Sequence, residues 1–227
     1  MVKKITKQEL EKPDLFQVAQ VRITKYISDN KSKIYITLGI IVLILATSAG
    51  WYLYRTNYED NAQKLYTKAH NATLQSRRAG ANIDQNTIKL YQDVVSQYPG
   101  TKSAAITQYR LGNLYYQLND FDTAIKAYME FLKIASDGSE LTTLAYMGLG
   151  YCHESKKDFK NALESFEKAS STKSAGNFES VNYRNIARMY EELNNKEKAI
   201  EYYQKALGKT GDPSIEQLIK RKISSIG

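Results

Sequence analysis

The residues that could do chemistry in this 227-residue sequence are few and poorly placed for it. The single cysteine, Cys152, is followed by His153, but consecutive helix residues point to different faces, so the two do not form a metal-binding pair. Gly148-Leu149-Gly150 lacks the preceding strand that a phosphate-binding loop requires. The carboxylates are scattered, and no pair of them suits acid–base catalysis. We therefore expect no enzymatic activity, no metal or other cofactor, and no small-molecule substrate.

The composition is that of a folded chain whose positive charge is unevenly distributed. Hydrophobic residues make up 42% and charged residues 25%, which suffices for a hydrophobic core, and 12 Gly and 3 Pro are too few for a fibrous or disordered chain. The formal net charge is +8, and the excess of Lys and Arg is concentrated before and at one apolar segment. Positive charge in that position is typical of membrane surfaces, so we predict no binding of nucleic acid.

Residues 34–54 form this apolar segment and contain no charged side chain. A helix needs about 20 apolar residues to cross a bilayer, and Tyr35 at one end with Trp51 and Tyr54 at the other match the aromatic residues of membrane interfaces. A cleaved signal peptide is the alternative, but a long polar region precedes the segment and aromatic residues continue past any cleavage site. We predict an uncleaved anchor with the basic residues 1–33 in the cytoplasm and the C-terminal part outside it.

The N-terminal tail, residues 1–33, contains a second apolar pattern. From Leu15 to Ile27 apolar residues recur at helical spacing, with Arg22 and Lys25 between them, and Asp14 could cap the start of the helix. This pattern predicts a short amphipathic helix. It could lie on the cytoplasmic face of the membrane or dock a cytoplasmic partner, and the sequence does not separate the two.

Three segments after the anchor resemble one another in the spacing of small and aromatic residues. The aligned small residues recur at intervals of roughly 37–38 residues, slightly longer than the 34-residue tetratricopeptide unit whose pattern they resemble. Small residues let the two helices of a hairpin approach closely, and the aromatic residue fills the space between hairpins. The aligned sets are Gly112, Gly150 and Ala187, then Ala124, Ala162 and Ala199, then Tyr128, Phe166 and Tyr203.

The resemblance to tetratricopeptide repeats implies an all-α fold. A fourth, degenerate unit precedes the three clear repeats, with its first helix in residues 57–78 and its second ending near Pro99. Asp212-Pro213 starts a short helix that would cap the last repeat. We therefore predict a transmembrane helix over residues 34–54, followed over residues 56–227 by an α-solenoid of three to four helical hairpins and a C-terminal capping helix.

In solenoids of this type the first helices of the hairpins line a concave groove that binds other proteins. Some relatives bind heat-shock chaperones there through a basic-and-Asn carboxylate clamp, which is incomplete in this sequence. The alternative for the aromatic positions is packing between helices, and the sequence leaves this open. Carrying over the family's contact positions predicts Tyr109, Asn113 and Tyr116 in the first clear repeat, Met147, Tyr151 and Glu154 in the second, and Arg184, Arg188 and Glu191 in the third.

The chain as a whole is similar to the YfgM-like family, the ancillary subunit of the SecYEG translocon. The similarity lies in the basic amphipathic tail, the anchor end Gly50-Trp51-Tyr52-Leu53-Tyr54, the helix start Asp60-Asn61-Ala62 and the Lys-rich segment 217–223. It implies a single-pass protein of the bacterial inner membrane whose periplasmic repeats assist secreted and envelope proteins. The implied partners are translocon subunits, a periplasmic chaperone or client polypeptides.

An alternative function follows from the junction between the degenerate unit and the clear repeats. Tyr98-Pro99-Gly100-Thr101 resembles links in envelope repeat proteins that serve outer-membrane assembly or cell division. A further alternative is a structural subunit whose repeats dock one fixed partner complex. All of these functions are forms of protein–protein interaction scaffold.

Overall fold

The computed structural model describes residues 15–80, 85–135 and 138–227, and within these ranges it contains helices and turns but no strand. The helices found in these ranges confirm the predicted all-α fold. The predicted cap Asp14 lies outside the described residues. The helices are α1 (Leu15–Asp29), α2 (Lys31–Arg78), α3 (Gln85–Gln97), α4 (Lys102–Gln117), α5 (Phe121–Ile134), α6 (Glu140–Ser155), α7 (Phe159–Ser171), α8 (Glu179–Glu192), α9 (Lys196–Leu207) and α10 (Pro213–Ile226), with a short 3₁₀ helix at Ala175–Phe178.

The chain divides into two compact units, one up to Thr56 and the other from Asn57 onward. In the first unit, α1 leaves Leu15, Phe16 and Tyr26 exposed, and none of its residues is buried. Helix α2 is long and apolar enough to cross a membrane: its most apolar window has a mean hydropathy of 2.0, and none of that window is buried. The predicted anchor, residues 34–54, lies on this helix, which is therefore a candidate membrane span.

The second unit is built from helical hairpins stacked in sequence order. Helices α4 and α5, α6 and α7, and α8 and α9 form the three hairpins of the clear repeats, and each hairpin packs on the next. The later part of α2 and helix α3 form the predicted fourth hairpin, whose contact is made by Ala69 and Tyr91 together with Leu111 of α4. Stacking in this way buries the apolar face that each hairpin would expose alone.

Glycine is required at positions on the first helix of a repeat where the aromatic ring of a second helix packs directly against the backbone. A Cβ at Gly112 of α4 would lie 2.6 Å from the ring of Tyr128, and a Cβ at Gly148 of α6 would lie 2.5 Å from the same ring. A Cβ at Gly150 would lie 2.5 Å from the ring of Phe166. The small residues predicted at Gly112 and Gly150 are thus confirmed as close-approach positions. Gly148 has the same role on the other side of Tyr128.

The link between the two helices of each clear repeat has the same construction. Asn119, Lys157 and Asn194 adopt φ values of 60°, 60° and 59°, which is the left-handed region that Asn tolerates better than Lys. In each link the next residue caps the second helix: the side chain of Asp120 accepts a hydrogen bond from the backbone of Thr123 at 3.2 Å, and Asp158 and Asn195 do the same in the later repeats. A tight turn followed at once by a cap fixes where each second helix begins.

The two ends of the repeat unit are closed by polar caps and by one buried side chain. Glu59 of α2 accepts hydrogen bonds from the backbone nitrogens of Lys102 (2.9 Å) and Ser103 (3.0 Å), and so caps the start of α4. At the other end, Asp212 caps α10, and Ile219 of α10 is fully buried against the last hairpin. The predicted C-terminal capping helix is therefore confirmed.

Candidate functional site

The nine residues predicted to contact a partner lie on α4, α6 and α8, and the structure separates them into two groups. We call the side of these helices that carries them the first-helix face. Tyr109 and Met147 are buried, at 8% and 5% exposure, and belong to the core. The ring of Tyr109 packs against those of Tyr128 and Phe131, with centroids 6.0 and 5.7 Å apart.

The sequence analysis predicted that Tyr109 and Met147 contact a partner. The structure corrects this prediction, because both residues belong to the core and are not open to a partner. The reason is geometric. Tyr109 packs in one cluster with Tyr128 and Phe131 of α5, and Met147 packs in another with Ala162 and Phe166 of α7, so both side chains are covered by second helices. The other seven predicted residues are half-buried: Asn113, Tyr116, Tyr151, Glu154, Arg184, Arg188 and Glu191.

Hydrogen bonds connect half-buried residues of α6 to residues of α8 in the next repeat. Asn185 of α8 donates from its amide nitrogen to the hydroxyl of Tyr151 on α6 at 2.8 Å. Arg188 of α8 donates from Nε and Nη2 to the two carboxylate oxygens of Glu154 on α6, at 2.5 and 2.7 Å. This bidentate arrangement is the strong form of the Arg–carboxylate pair. Asn185 is not one of the contact positions carried over from the family, so the repeat alignment could not reveal it.

Glu191 is the acceptor at the C-terminal end of the first-helix face. It accepts a hydrogen bond from the hydroxyl of Tyr203 on α9, and one from the ammonium group of Lys222 on α10 at 3.0 Å. Lys222 lies outside the aligned repeats, so repeat spacing could not reveal it. The capping helix α10 thus adds a positive charge to this face, and its apolar side also covers the last hairpin.

Second-helix tyrosines supply hydroxyls to polar residues of the first helices. The Tyr91 hydroxyl lies 3.2 Å from that of Thr73, and the Tyr128 hydroxyl donates to the side-chain oxygen of Asn113 at 2.7 Å. Burial raises the pKa of both tyrosines above the ordinary value of 10, so burial adds to the preference of these hydroxyls for the neutral form. Phe166 has no hydroxyl, and in that repeat Tyr151 provides one.

Three buried polar atoms among the described residues have no hydrogen-bond partner: Nε of Arg110, Nε of Arg184 and the side-chain oxygen of Asn182. The guanidinium of Arg110 lies 5.9 Å from the ring of Tyr109. Unpaired donors of this kind are uncommon, since a buried polar group without a partner costs free energy. Two arginine side chains therefore have an unpaired donor in the repeat unit.

Cys152 and His153, which the sequence places next to each other, differ in their surroundings in this structure. Cys152 is fully buried, and burial raises the pKa of its thiol to about 12, so it is not an active thiolate at neutral pH. Burial also lowers the pKa of His153, against the opposing effect of Asp158, whose carboxylate lies 3.6 Å from Nδ1. Within the described part of the chain, no three His, Cys, Asp or Glu residues are placed to hold a metal ion.

Comparison with solved structures shows the same fold. A crystal structure of MamA is similar over 72% of this chain and 87% of its own, with a TM-score of 0.55 and 18% identity. MamA from residue 41 to its end, from Desulfovibrio magneticus RS-1, is similar over 71% of this chain and 93% of its own, with a TM-score of 0.53 and 16% identity. No curated protein sequence matches the chain.

The sequence profile of the tetratricopeptide repeat-like domain matches residues 24–227, which is most of the chain. This match includes both the candidate span and all of the hairpins. Proteins with this kind of domain are generally non-catalytic interaction scaffolds, and the match indicates no enzymatic family. The chain belongs to the tetratricopeptide repeat-like domain family.

Proposed function

We propose that this chain is a membrane-anchored scaffold whose first-helix face binds a polypeptide partner. The observation that carries the proposal is the row of half-buried polar and aromatic side chains that runs from Asn113 on α4 to Glu191 on α8. Aromatic and arginine side chains at partly buried positions are the types that dominate binding energy at protein interfaces. The exposed apolar stretch of α2, residues 34–54, supports attachment of this scaffold to a membrane.

We further propose that the scaffold works beside the Sec translocon, at the periplasmic side of the bacterial inner membrane. Support for this part comes from the sequence resemblance and from the basic residues ahead of the span, which favour a cytoplasmic N-terminus. The partners would be translocon subunits, a periplasmic chaperone or client polypeptides.

One observation favours the alternative of a single fixed partner. With Tyr109 and Met147 in the core, the first-helix face consists largely of charged and hydrogen-bonded groups, such as the pair of Glu154 and Arg188. Arranged charges give specificity, whereas binding of many unfolded clients suits flexible apolar surfaces. A structural subunit of an envelope complex fits this polar face well.

The experiment that tests the proposal is co-purification of the tagged full-length protein in mild detergent, with mass spectrometry of the recovered proteins. Recovery of translocon subunits with a periplasmic chaperone supports the translocon role. Recovery of one stoichiometric membrane or envelope complex without the translocon supports the fixed-partner alternative. Absence of any specific companion contradicts the scaffold proposal.

A matched variant makes this experiment specific for the first-helix face. The double substitution Glu154→Arg with Arg188→Glu keeps an ion pair between α6 and α8 but reverses its direction, so the fold should be retained. We expect the companion to be lost from this variant. Equal recovery with the variant and the natural sequence would show that the partner binds elsewhere.

A further inference from the structure

We propose that α1 lies on the membrane surface, with one side in the lipid and its basic side chains against anionic phospholipid headgroups. The inference rests on one part of the proposed function, namely that residues 34–54 of α2 cross the membrane. The residue pattern alone leaves open whether α1 lies on the membrane or docks a cytoplasmic partner. The placement of α1 beside the candidate span favours the membrane.

Most apolar residues of α1 occupy one side of the helix, which we call its apolar side. At helical spacing they fall within an arc of roughly 120°, and every polar or charged side chain of α1 lies outside that arc. The large side chains of this set are exposed, from 46% at Ile27 to 86% at Leu15. A contiguous apolar surface of this kind marks a site that is covered by a partner or by lipid. The apolar side consists of Leu15, Phe16, Ala19, Ile23, Tyr26 and Ile27.

Helix α1 is joined directly to the helix that contains the candidate span. Asn30 alone separates α1 from α2; its backbone N–H donates to the carbonyl of Tyr26, and its carbonyl accepts from the N–H of Ile34, both at 3.0 Å. Residues 30–33, between α1 and the apolar segment, cover roughly 6 Å of helix. The headgroup layer of one leaflet is roughly 5–8 Å thick. If residues 34–54 cross the membrane, the end of α1 therefore lies in or beside the headgroups.

A cleft at this junction is shared by α1 and the start of the apolar segment. Tyr26 belongs to the apolar side of α1, and Ile34 and Leu38 belong to the apolar segment. One layer of lipid can cover all three, whereas a cytoplasmic protein on this side of α1 would have to occupy the space where the span enters the bilayer. The cleft has a volume of ≈ 320 Å³ and is lined by Tyr26, Asn30, Lys33, Ile34, Thr37 and Leu38.

The charges on and after α1 match an anionic lipid surface. Arg22 lies at the edge of the apolar side, so its stem can stay in lipid while its guanidinium reaches the headgroups. Basic residues next to the cytoplasmic end of a span are attracted to anionic phospholipids. Among the described residues none of these cations forms an ion pair within the chain. Residues 15–33 contain one acidic side chain, Asp29, and the basic side chains Arg22, Lys25, Lys31 and Lys33.

Spin-label accessibility tests this placement on the full-length protein in vesicles of equal parts phosphatidylcholine and phosphatidylglycerol. Labels are attached to single added cysteines; Cys152 is fully buried, and the natural sequence reports any background labelling. On the apolar side, the ratio of accessibility to oxygen, which dissolves in lipid, over accessibility to a polar nickel chelate should be several-fold higher than on the opposite side. The apolar side is labelled at Ala19→Cys or Ile23→Cys and the opposite side at Gln17→Cys or Thr24→Cys.

A charge-removing pair of substitutions tests the contact with anionic headgroups. Arg22→Gln with Lys25→Gln should lower the oxygen-to-nickel ratio at Ile23→Cys in these vesicles, to the value that the natural basic residues give in phosphatidylcholine alone. Lys160→Gln with Lys196→Gln is the matched control, because it removes the same charge from exposed positions of the repeat unit and should leave the ratio unchanged. Equal ratios with and without phosphatidylglycerol, or with and without the two basic residues of α1, would overturn the role of the headgroups.

A label in the middle of the span, at Ile44→Cys, separates failure of this inference from failure of the proposed membrane anchor. High oxygen accessibility at this label, with no difference between the two sides of α1, overturns the surface placement of α1 and leaves the anchor standing. Low oxygen accessibility at this label overturns the anchor as well. Labels at Ala19 and Ile23 that stay open to nickel in vesicles, and lose mobility only when cytoplasmic proteins are added, show a protein partner for α1 and overturn the inference.

Discussion

Tyr128 connects two repeats through both its ring and its hydroxyl. The ring lies against Gly112 of α4 and Gly148 of α6, and the hydroxyl donates to Asn113 at the edge of the first-helix face. One residue of the core thereby sets the position of a polar residue that we propose to contact the partner. Packing and binding are coupled at this residue because the same side chain serves both.

Substitution of either glycine by alanine tests this coupling. Gly112→Ala and Gly148→Ala should each lower the free energy of unfolding by about 1–3 kcal/mol, because the added methyl group collides with the Tyr128 ring. Denaturation of the full-length protein in detergent, followed by circular dichroism, measures the change. Gly176→Ala is the matched control, since nothing lies within 4 Å of its Cβ position. Unchanged stability in both variants would contradict the packing described for Tyr128.

His153 should make the stability of the repeat unit depend on pH. Burial lowers its pKa from 6.5, so near that pH the unfolded chain binds more protons than the folded one. The contribution of His153 is fully present above pH 6.5 and is lost as the pH falls toward its lowered pKa, by at most about 1.4 kcal/mol per pH unit. Melting temperatures between pH 5 and pH 8 should fall less on acidification in His153→Gln. Parallel profiles would contradict the pKa shift.

At the scale of the elements, the loops inside the repeats determine where the second helices begin. Asn119, Lys157 and Asn194 take the left-handed conformation, and the residue after each one caps the next helix. Two of the three positions use Asn, the residue that tolerates this conformation best after Gly. Lys157 is the exception, and the structure shows no contact that explains it.

A reciprocal pair of substitutions tests the cost of this exception. Lys157→Asn should raise the free energy of unfolding by about 1 kcal/mol, and Asn119→Lys should lower it by a similar amount, because a long side chain is strained in the left-handed region. Both values come from the same denaturation experiment. Changes of the same sign in the two variants would exclude backbone strain as the cause.

The sequence predicted the helices of the repeats well because the spacing of small and aromatic residues reflects how closely these helices must pack. Gly112 and Gly150 align with each other, so the close approach of two helices at these positions could be predicted without a structure, whereas the ring that lies against each glycine could not. Asn185 and Lys222 could not be predicted in this way, because their partners Tyr151 and Glu191 belong to other helices and no spacing rule connects them. The prediction that Tyr109 lines the groove was wrong. The spacing of residues along a helix does not tell which side of that helix packs against the second helices and which side faces solvent.

At the scale of the whole molecule, each end of the repeat unit has a different cover. Helix α2 provides the first helix of the first hairpin, with Ala62 and Ala69 fully buried, and it also contains the candidate span. Helix α10 covers the last hairpin through Ile219 and adds Lys222 to the first-helix face. A stack of hairpins needs such covers, since its end repeats would otherwise expose an apolar face.

Removal of the buried side chain of α10 tests the C-terminal cover. Ile219→Ala should lower the free energy of unfolding by about 2 kcal/mol or more, because Ile219 is fully buried against α9. Leu218→Ala, at a neighbouring position that is 45% exposed, is the matched control and should be nearly neutral. Equal losses in the two variants would contradict the packing of α10.

Site-specific photocrosslinking in cells tests the central claim, that the first-helix face binds a polypeptide partner. A photoreactive phenylalanine derivative is placed at Tyr116 or Arg184 on this face and, as controls, at the exposed Glu130 of α5 or Lys160 of α7. The account predicts that both face positions give an adduct with the same membrane or envelope protein, and that the control positions do not. Adducts from the control positions alone would contradict it, since the partner would then bind the second helices.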